Sequence, residues 1–566
     1  MGEAWRKRAL VNASGACFLP QLACIPVSKC YRLESLKIMV YRISLFLLAL
    51  GWGFPAGWLY AEPGQSATED ENTPERVLTL DQVIGRALAH NLGLATERYQ
   101  VANAADDIEI EQSVFDVELF GSTDFSESLS PARTSSLDDA DVPESETRRA
   151  GVGVDKLLST GATVTIDSGI RRRSSNNNAV RNPDYSSDLG VTIRQPLLQG
   201  AWQRVNLAPL ARARIGAEIS LYELRADVLD LLQETETAYW DLAFAKADQR
   251  LIASSIELAE NLLEENKERE RLGLATPLEV LQAETELNDR QENLIQAERV
   301  IAEAEDRLRR LMGDTSFIAP VEDNLQVNLL PENLPGLRPM PEVVRDTVAS
   351  DVDADAQELS IEIQRINRIL AKDETKPELA LVGGVTYLGR NSDGEASYRG
   401  AYQRDGRDWN IGLQLRVPWG TRAAKARLRQ TERNLEREKL LLYDLKQQKA
   451  LAARSVWRAV QAGQRRIEVT RKALELNREA FKQQRARYSS GVVAYRTVLE
   501  AQRDFDNARR NQLSALIETL QAQVELSRID STILQRNGFS WEQVDRLATP
   551  PELKTHPLRD AIGTDS

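Results

Sequence analysis

The chain reads GLATPLEVLQAE over 273–284 and GVVAYRTVLEAQ over 491–502. Gly273 aligns with Gly491, Val280 with Val498, Leu281 with Leu499 and Ala283 with Ala501, at a constant shift of 218 and without a gap. In both copies a long charged helical run arrives at the glycine and a second helical run leaves it. A duplication this long is not a solenoid repeat and points to an internal pseudo-twofold.

The copies extend outward from the glycines. LTLDQVIGRALAHNLGLATERY (78–99) finds a counterpart in PMPEVVRDTVASDVDADAQEL (339–359), with Ala89 matching Ala349 at a shift of 260. Each copy then enters strand-like sequence, FDVELFGSTDF (115–125) and TKPELALVGGVTYL (375–388). Each next reaches a strand that ends in proline, VTIRQPLLQG (191–200) and LQLRVPWG (413–420). The order is helix, strands, Pro-terminated strand, long helix, Gly turn, helix, and then all of it again.

Residues 205–271 and 421–490 are almost free of helix breakers. At 1.5 Å per residue, about 65 residues span roughly 100 Å, far more than a globular core requires. Such helices must lie along one another. Leu428, Leu435 and Leu442 recur every seven residues, as do Leu445, Ala452 and Ala459, with Arg, Glu, Lys and Gln between them. This spacing predicts a narrow coiled-coil seam. The outgoing runs, 277–312 and 495–536, are also amphipathic.

Alternation predicts strands over 115–128, a hairpin over 151–170 around Ser159-Thr160-Gly161, and strands over 186–198, 378–389 and 408–419. The connections 129–150, 171–185 and 390–407 are polar and read as loops. Alternating strands of about ten residues joined by polar loops are the pattern of an outer-membrane barrel. Six strands are too few to enclose a channel, and an open sheet would leave edges in lipid, so closure requires several chains.

Composition narrows the function. The 566 residues carry a formal charge of −13, although the first 61 hold seven Lys/Arg against two Asp/Glu. The acidic remainder argues against nucleic acid. Cys17, Cys24 and Cys30 all precede residue 39, so the rest of the chain has no disulfide or thiolate metal site. MVYRISLFLLALGWGFPAGWLYA (39–61) has the form of a secretory signal, with Arg42 before the apolar run and Leu59-Tyr60-Ala61 as cleavage tripeptide. Met39 is the expected start. After residue 61 no run reaches 18 apolar residues, so membrane entry requires a barrel. The two histidines, His90 and His556, form no metal-binding spacing. GVGVDK (151–156) lacks the Gly-Lys-Ser/Thr ending of a phosphate loop. No nucleophile stands near a base, so no enzyme, cofactor or metal site is expected.

With these residues in place, the chain resembles the TolC family of outer-membrane efflux proteins over roughly 78–536. The most specific stretch is YSSGVVAYRTVLEAQRDF (488–505), with QPLLQG (195–200) and LTLDQVIGRALAHN (78–91) in support. The resemblance implies an α+β membrane protein: a homotrimeric outer-membrane β-barrel continued by a long antiparallel α-helical coiled-coil tunnel, with two internal repeats per chain. It implies an exit channel in the outer membrane of a Gram-negative bacterium, reaching into the periplasm. Its implied partners are outer-membrane lipid, a periplasmic adaptor protein and an inner-membrane pump of RND or ABC type, and the cargo is small molecules or polypeptides. A non-conducting periplasmic coiled-coil scaffold is the alternative that helices alone would favour.

The expected layout is an N-terminal extension and signal over 1–61, a linker over 62–77, a first repeat over 78–313, a linker over 314–340, a second repeat over 341–536 and a polar tail over 537–566. The hairpin at 151–170 gives six strands per chain, where the family usually has four. The tips at 272–276 and 490–494 are the expected adaptor-docking end, through Gly273, Leu274, Thr276, Gly491, Val492 and Val493. The family's two aperture carboxylates fall on Thr497 and Glu500, so one is missing, and Glu279 stands opposite Thr497 in the first repeat. Glu279, Glu500 and Thr497 are therefore the expected gate. Arg271 and Tyr488 precede the tips and are expected to tie neighbouring helices in the closed state.

Overall fold

The computed structural model describes residues 77–129, 144–176, 181–314, 325–328, 330–331, 334 and 336–548. The expected N-terminal extension, the signal with its start at Met39, and nearly all of the 62–77 linker lie outside the described residues. Helices α1 (Leu80–His90) and α2 (Leu92–Ser113) lead into strands β1 (Val117–Leu129), β2 (Glu144–Leu157), β3 (Thr163–Ser175) and β4 (Asp184–Pro196). Helix α3 (Ala208–Arg271) then turns back through α4 (Pro277–Leu311). The second half repeats the order with α5 (Met340–Ala349), α6 (Val352–Asp373), β5 (Glu378–Asn391), α7 (Gly394–Gln403), β6 (Gly406–Arg416), α8 (Arg422–Ser489) and α9 (Tyr495–Ile529). Two short helices, α10 (Ile533–Arg536) and α11 (Trp541–Leu547), complete the described chain.

The halves match in length. α4 and α9 have 35 residues each, α2 and α6 have 22 each, and α3 and α8 have 64 and 68. The helix starts reflect capping chemistry. Thr79 and Gln82 form a capping box on α1, and the Asn91 side chain accepts from Leu94 N–H at the start of α2. The same Asn91 amide donates to the Leu311 carbonyl at 3.0 Å, tying α2 to the end of α4.

The six strands form one antiparallel sheet in chain order, β1 to β6. Its register lines up one row across all strands: Leu119, Val154, Ile166, Val191, Val385 and Trp409. One residue along, the row is Phe120, Gly153, Asp167, Gly190, Thr386 and Asp408. The side-chain period of two thus separates an apolar face from a polar one. The apolar row is uncovered: Leu119 is 81% exposed and Trp409 is 67% exposed. β1 and β6 each pair on one side only among the described residues.

The connection 390–407, expected as a loop, contains helix α7. It packs on the apolar face at the strand ends farthest from the long helices. Ser397 Oγ lies 3.1 Å from Ser187 Oγ and donates to the Gly389 carbonyl at 3.0 Å. A Cβ at Gly389 would stand 1.9 Å from the Ser397 carbonyl oxygen, so only glycine lets α7 settle there. The other expected loops are shortened, because β2 begins at Glu144, β3 continues to Ser175 and β4 starts at Asp184.

The largest core gathers around the middle of α3. Leu224, Val228, Leu232, Tyr239 and Leu242 meet Val83, Ile84 and Leu88 of α1, Leu308 of α4 and Val524 of α9. The stretch 537–566, expected as a polar tail, contributes to this core in part. Val544 of α11 is buried in it, and Arg225 makes a bidentate contact with Asp545 at 2.9 and 2.8 Å. The 314–340 linker also touches it, through a bridge between Leu78 and Val327 and an Asn328 N–H donating to Tyr239 Oη. The predicted seam of α8 holds at Leu435, which is buried, and then shifts. Ala459 is exposed, while Ala453, Val456 and Val460 are buried. A straight α-helix drifts about 20° per heptad, which moves the buried stripe one position along over such a length.

Candidate functional site

The two glycine turns close their helices in the same way. At the end of α3, Gly273 has φ +73°, and its N–H donates to the Glu270 carbonyl at 2.9 Å while Leu274 N–H donates to the Arg269 carbonyl at 2.7 Å. At the end of α8, Gly491 has φ +74°, with Gly491 N–H on Tyr488 and Val492 N–H on Arg487, both at 2.9 Å. This is the Schellman arrangement, which satisfies orphan carbonyls through a left-handed residue. No atom lies within 4 Å of where a Cβ would stand at either glycine, so the demand is on φ alone.

The helix starts beyond the two turns differ. Thr276 and Pro277 open α4 with a capping box, in which Thr276 N–H donates to Glu279 Oε2 at 2.8 Å. Ala494 opens α9 without a side-chain cap, and Thr497 stands where Glu279 stands in the first copy. The first tip exposes Leu272, Leu274, Leu278 and Leu281. The second exposes Val492, with Val493 half-buried, and covers Val498 and Leu499.

Above the tips, Leu263, Ala283, Phe481, Tyr488, Tyr495, Val498 and Leu499 form a second core. Tyr488 Oη donates to Asn266 Oδ1 at 2.5 Å, joining α8 to α3. Burial raises the Tyr488 pKa, against the Arg269 guanidinium 4.5 Å above its ring. Arg271, expected to tie a neighbouring helix, contacts Glu268 of its own helix at 2.6 and 2.8 Å. Glu500 contacts Arg496 of its own helix at 3.0 Å. Glu279 is occupied by the cap. The structure thus brings Tyr488 together with Asn266 across the repeats, and leaves Arg271 and Glu500 exposed on separate helices.

Residues 163–314 and 344–531, more than half of the chain, match the family model of the outer membrane efflux protein. The chain belongs to the outer membrane efflux protein family. The two matched stretches fall one in each half of the chain, and the first begins at Thr163, the first residue of β3, after α1, α2, β1 and β2. Solved structures of this fold include the CmeC outer membrane channel of Campylobacter jejuni, with a TM-score of 0.61 at 15% identity over 89% of this chain and 98% of that one. The outer membrane protein VceC of Vibrio cholerae aligns with a TM-score of 0.58 at 18% identity over 80% of this chain and 95% of that one. The open state of the MtrE outer membrane channel of Neisseria gonorrhoeae aligns at 0.56 and 18% identity, over 80% of this chain and 88% of that one. No curated protein matches the chain.

In this member of the efflux family a buried charge network, not foreseen from the sequence, ties the repeats above the tips. Arg290 of α4 donates to Glu286 at 2.9 Å and to Asp506 of α9 at 2.7 Å. Arg503 of α9 donates back to Glu286 at 2.6 Å, and Ser255 of α3 donates to Asp506 at 3.0 Å. Glu286 and Arg290 are almost wholly buried. The i, i+4 spacing of Glu286 and Arg290 is visible in the sequence, but on a densely charged helix it does not distinguish a buried pair from a solvated one. Among the described residues no cluster has metal-binding composition, and no helix is long and apolar enough to cross a membrane.

The pseudo-twofold is incomplete within one chain. α9 packs along α3, whereas their counterparts α4 and α8 share no extended contact. Leu499 is 8% exposed and its counterpart Leu281 is 59% exposed. Leu258 is half-buried beside Leu499, and its counterpart Leu476 lies open. Higher up, Leu513 and Leu251 are half-buried, while Ile295 and Val469 in the equivalent places are exposed.

Proposed function

We propose that the chain is an outer-membrane exit channel that works as a homotrimer and catalyses no reaction of its own. The observation that carries this reading is the quasi-equivalent pair of surfaces. α4 of one copy offers Leu281 and Ile295, and α8 of another offers Leu476 and Val469. Joining them repeats the α9–α3 contact already made inside the chain. Such a head-to-tail contact generates a closed ring when the rotation closes. The same ring joins β1 of one copy to β6 of the next, removes both edges and turns the apolar row toward lipid. The helices then hang as a tunnel into the periplasm.

In this reading the tips face the cell interior. Exposed Leu272, Leu274 and Leu278 at the first tip, with Val492 at the second, form an apolar surface suited to a periplasmic adaptor that links the channel to an inner-membrane pump. Gly273, Thr276, Gly491 and Val493 shape it. The cargo is a small molecule or polypeptide that the pump selects. Glu279, Glu500 and Thr497 ring the narrow end, where closely placed carboxylates attract cations. Tyr488, bonded to Asn266, holds that end shut, and Arg271 flanks it.

Purified protein in a planar bilayer decides between channel and scaffold. It should run as a heat-sensitive trimer and conduct with a preference for cations. Glu279→Gln with Glu500→Gln should abolish that preference. A trimer that never conducts would leave only a scaffold, and unchanged selectivity in the double variant would move the constriction elsewhere.

A further inference from the structure

Helix α7 is an unusual cover for the apolar face. Its buried stripe is small, Ser397, Gly400 and Ala401, and its outer side carries Tyr398 and Tyr402, 50% and 76% exposed. It sits beyond the apolar row, reaching Ser168 two residue pairs further along the strands and seated on Ser187 and Gly389 four pairs further. The Tyr398 hydroxyl is 3.4 Å from Ser168 Oγ, and Gly394 borders Tyr185 and Ile170, all on that face. Tyrosines at the edge of an apolar band mark the water–lipid interface, where an amphipathic ring has one end in each medium.

Two arginines border the same place. Arg404 comes directly after α7 in a left-handed conformation, φ +65°, with its N–H on the Ala401 carbonyl at 3.2 Å and the next N–H on the Gly400 carbonyl at 3.0 Å. This is the position of a helix C-cap where glycine is favoured and an L side chain is strained. A non-glycine kept there invites a side-chain explanation. Its guanidinium lies 5.1 Å from the centroid of the Tyr387 ring. Tyr387 is register-paired with Arg407, which shares its face. Neither Arg404 nor Arg407 forms an ion pair with any described residue, and both are exposed. The neighbouring Arg399, by contrast, is already paired with Glu395 at 2.7 Å.

We propose that Arg404 and Arg407 hold the phosphate of an anionic lipid headgroup in the outer leaflet, with Tyr398 and Tyr402 fixing the depth of α7 in the interface. The proposal rests on the membrane orientation of the exit channel, in which the strand ends far from the long helices face outward. Guanidinium groups recognise phosphate through paired N–H donors. Placed at the interface beside an apolar face, they favour an anion carried on an acyl chain over a free one.

The test uses the intact assembled protein in detergent, titrated with bis-phosphorylated lipid A and with its dephosphorylated form, and read by native mass spectrometry. Inorganic pyrophosphate, titrated in parallel, is read by calorimetry. The phosphorylated lipid should bind many-fold more tightly than the other two. Arg404→Gly with Arg407→Gln should lower its affinity by about thirtyfold, at the usual worth of two basic groups near an anionic surface. Arg404→Gly relieves the strained backbone, so the variant should fold and melt no lower than the parent, and a lost affinity then reports the side chain. Equal binding of phosphorylated and dephosphorylated lipid, undiminished affinity in the double variant, or pyrophosphate binding as tight as the lipid would each overturn the proposal. Failure of the unaltered protein to fractionate with outer membranes would instead overturn the channel reading.

Discussion

The hairpin at Gly273 and the hairpin at Gly491 are built from one motif, but the second covers a leucine, Leu499, that the first leaves open at Leu281. Leu499 is covered by Leu258 and Leu263 of α3 and their neighbours, whereas its counterpart Leu281 is open, and Val498 and its counterpart Val280 both enter the shared core. The turn geometry is the same to one degree in φ. The difference therefore lies in what packs beside each hairpin. A repeated sequence encodes a repeated surface, and a chain with two copies can pair only one of them with itself. In the proposed trimer, the unpaired copy is where the next chain would sit.

The comparison can be broken most severely at Arg290. Its counterpart at the 218-residue shift is Ala508, so the buried arginine that joins the repeats has no equivalent in the second copy. Arg290→Ala leaves the buried Glu286 and the half-buried Asp506 with less compensation, and should cost about 3–5 kcal/mol. Chemical denaturation at neutral pH measures it. A loss near zero would mean that water enters and the network is not buried in solution.

Leu499 and Leu281 test the asymmetry directly. Leu499→Ala should destabilise the fold by about 2–4 kcal/mol, as for other buried leucines. Leu281→Asp should leave helicity intact and reduce assembly, as read by light scattering in detergent. If Leu281→Asp assembles like the parent, the next copy does not sit on α4.

The two glycines should behave alike. Gly273→Val and Gly491→Val each place a branched side chain at positive φ, at a cost of about 1–2 kcal/mol with no clash to add. Both variants should keep trimer and barrel and lose export. A large inequality in melting temperature between them would break the equivalence of the turns.

The smallest effect concerns Asp227 of α3, whose counterpart is Leu445. Burial, aided by Glu97 and Asp230, pushes its pKa up to about 6. A carboxyl that is more basic in the fold than in the unfolded chain opposes folding when ionised, so stability should rise as pH falls through about 6. Asp227→Asn should raise the melting temperature slightly at pH 7 and not at pH 3.5. Equal shifts at both pH values would assign the gain to something other than charge.

Much of this was legible in the sequence because it depends on period. The alternation of Leu189, Val191 and Ile193 marks the apolar face of β4, and the breaker-free runs mark α3 and α8 with their glycine ends. Helix α7 was not legible. GEASYRGAYQ has two glycines and a stripe of small residues that resembles a loop until Gly389 is seen beneath it. The short helix α11 was not legible because its seven residues offer only Trp541, Val544 and Leu547 to the core, too few to show a period. At the site, the tip glycines were readable from the motif itself. Asn266 as the partner of Tyr488, and the Glu286–Arg290–Asp506 network, were not, since each joins positions over 200 residues apart that only packing brings together.

The open edges of β1 and β6 also bear on inheritance. A strand edge that is completed by another chain makes the fitness of one subunit depend on its neighbours. In the proposed ring of three, a cell making intact chains and edge-defective chains in equal amounts would build only about one ring in eight entirely from intact chains. A proline in the middle of β6 would therefore act dominantly, cutting export to about an eighth even while a normal copy of the gene is present.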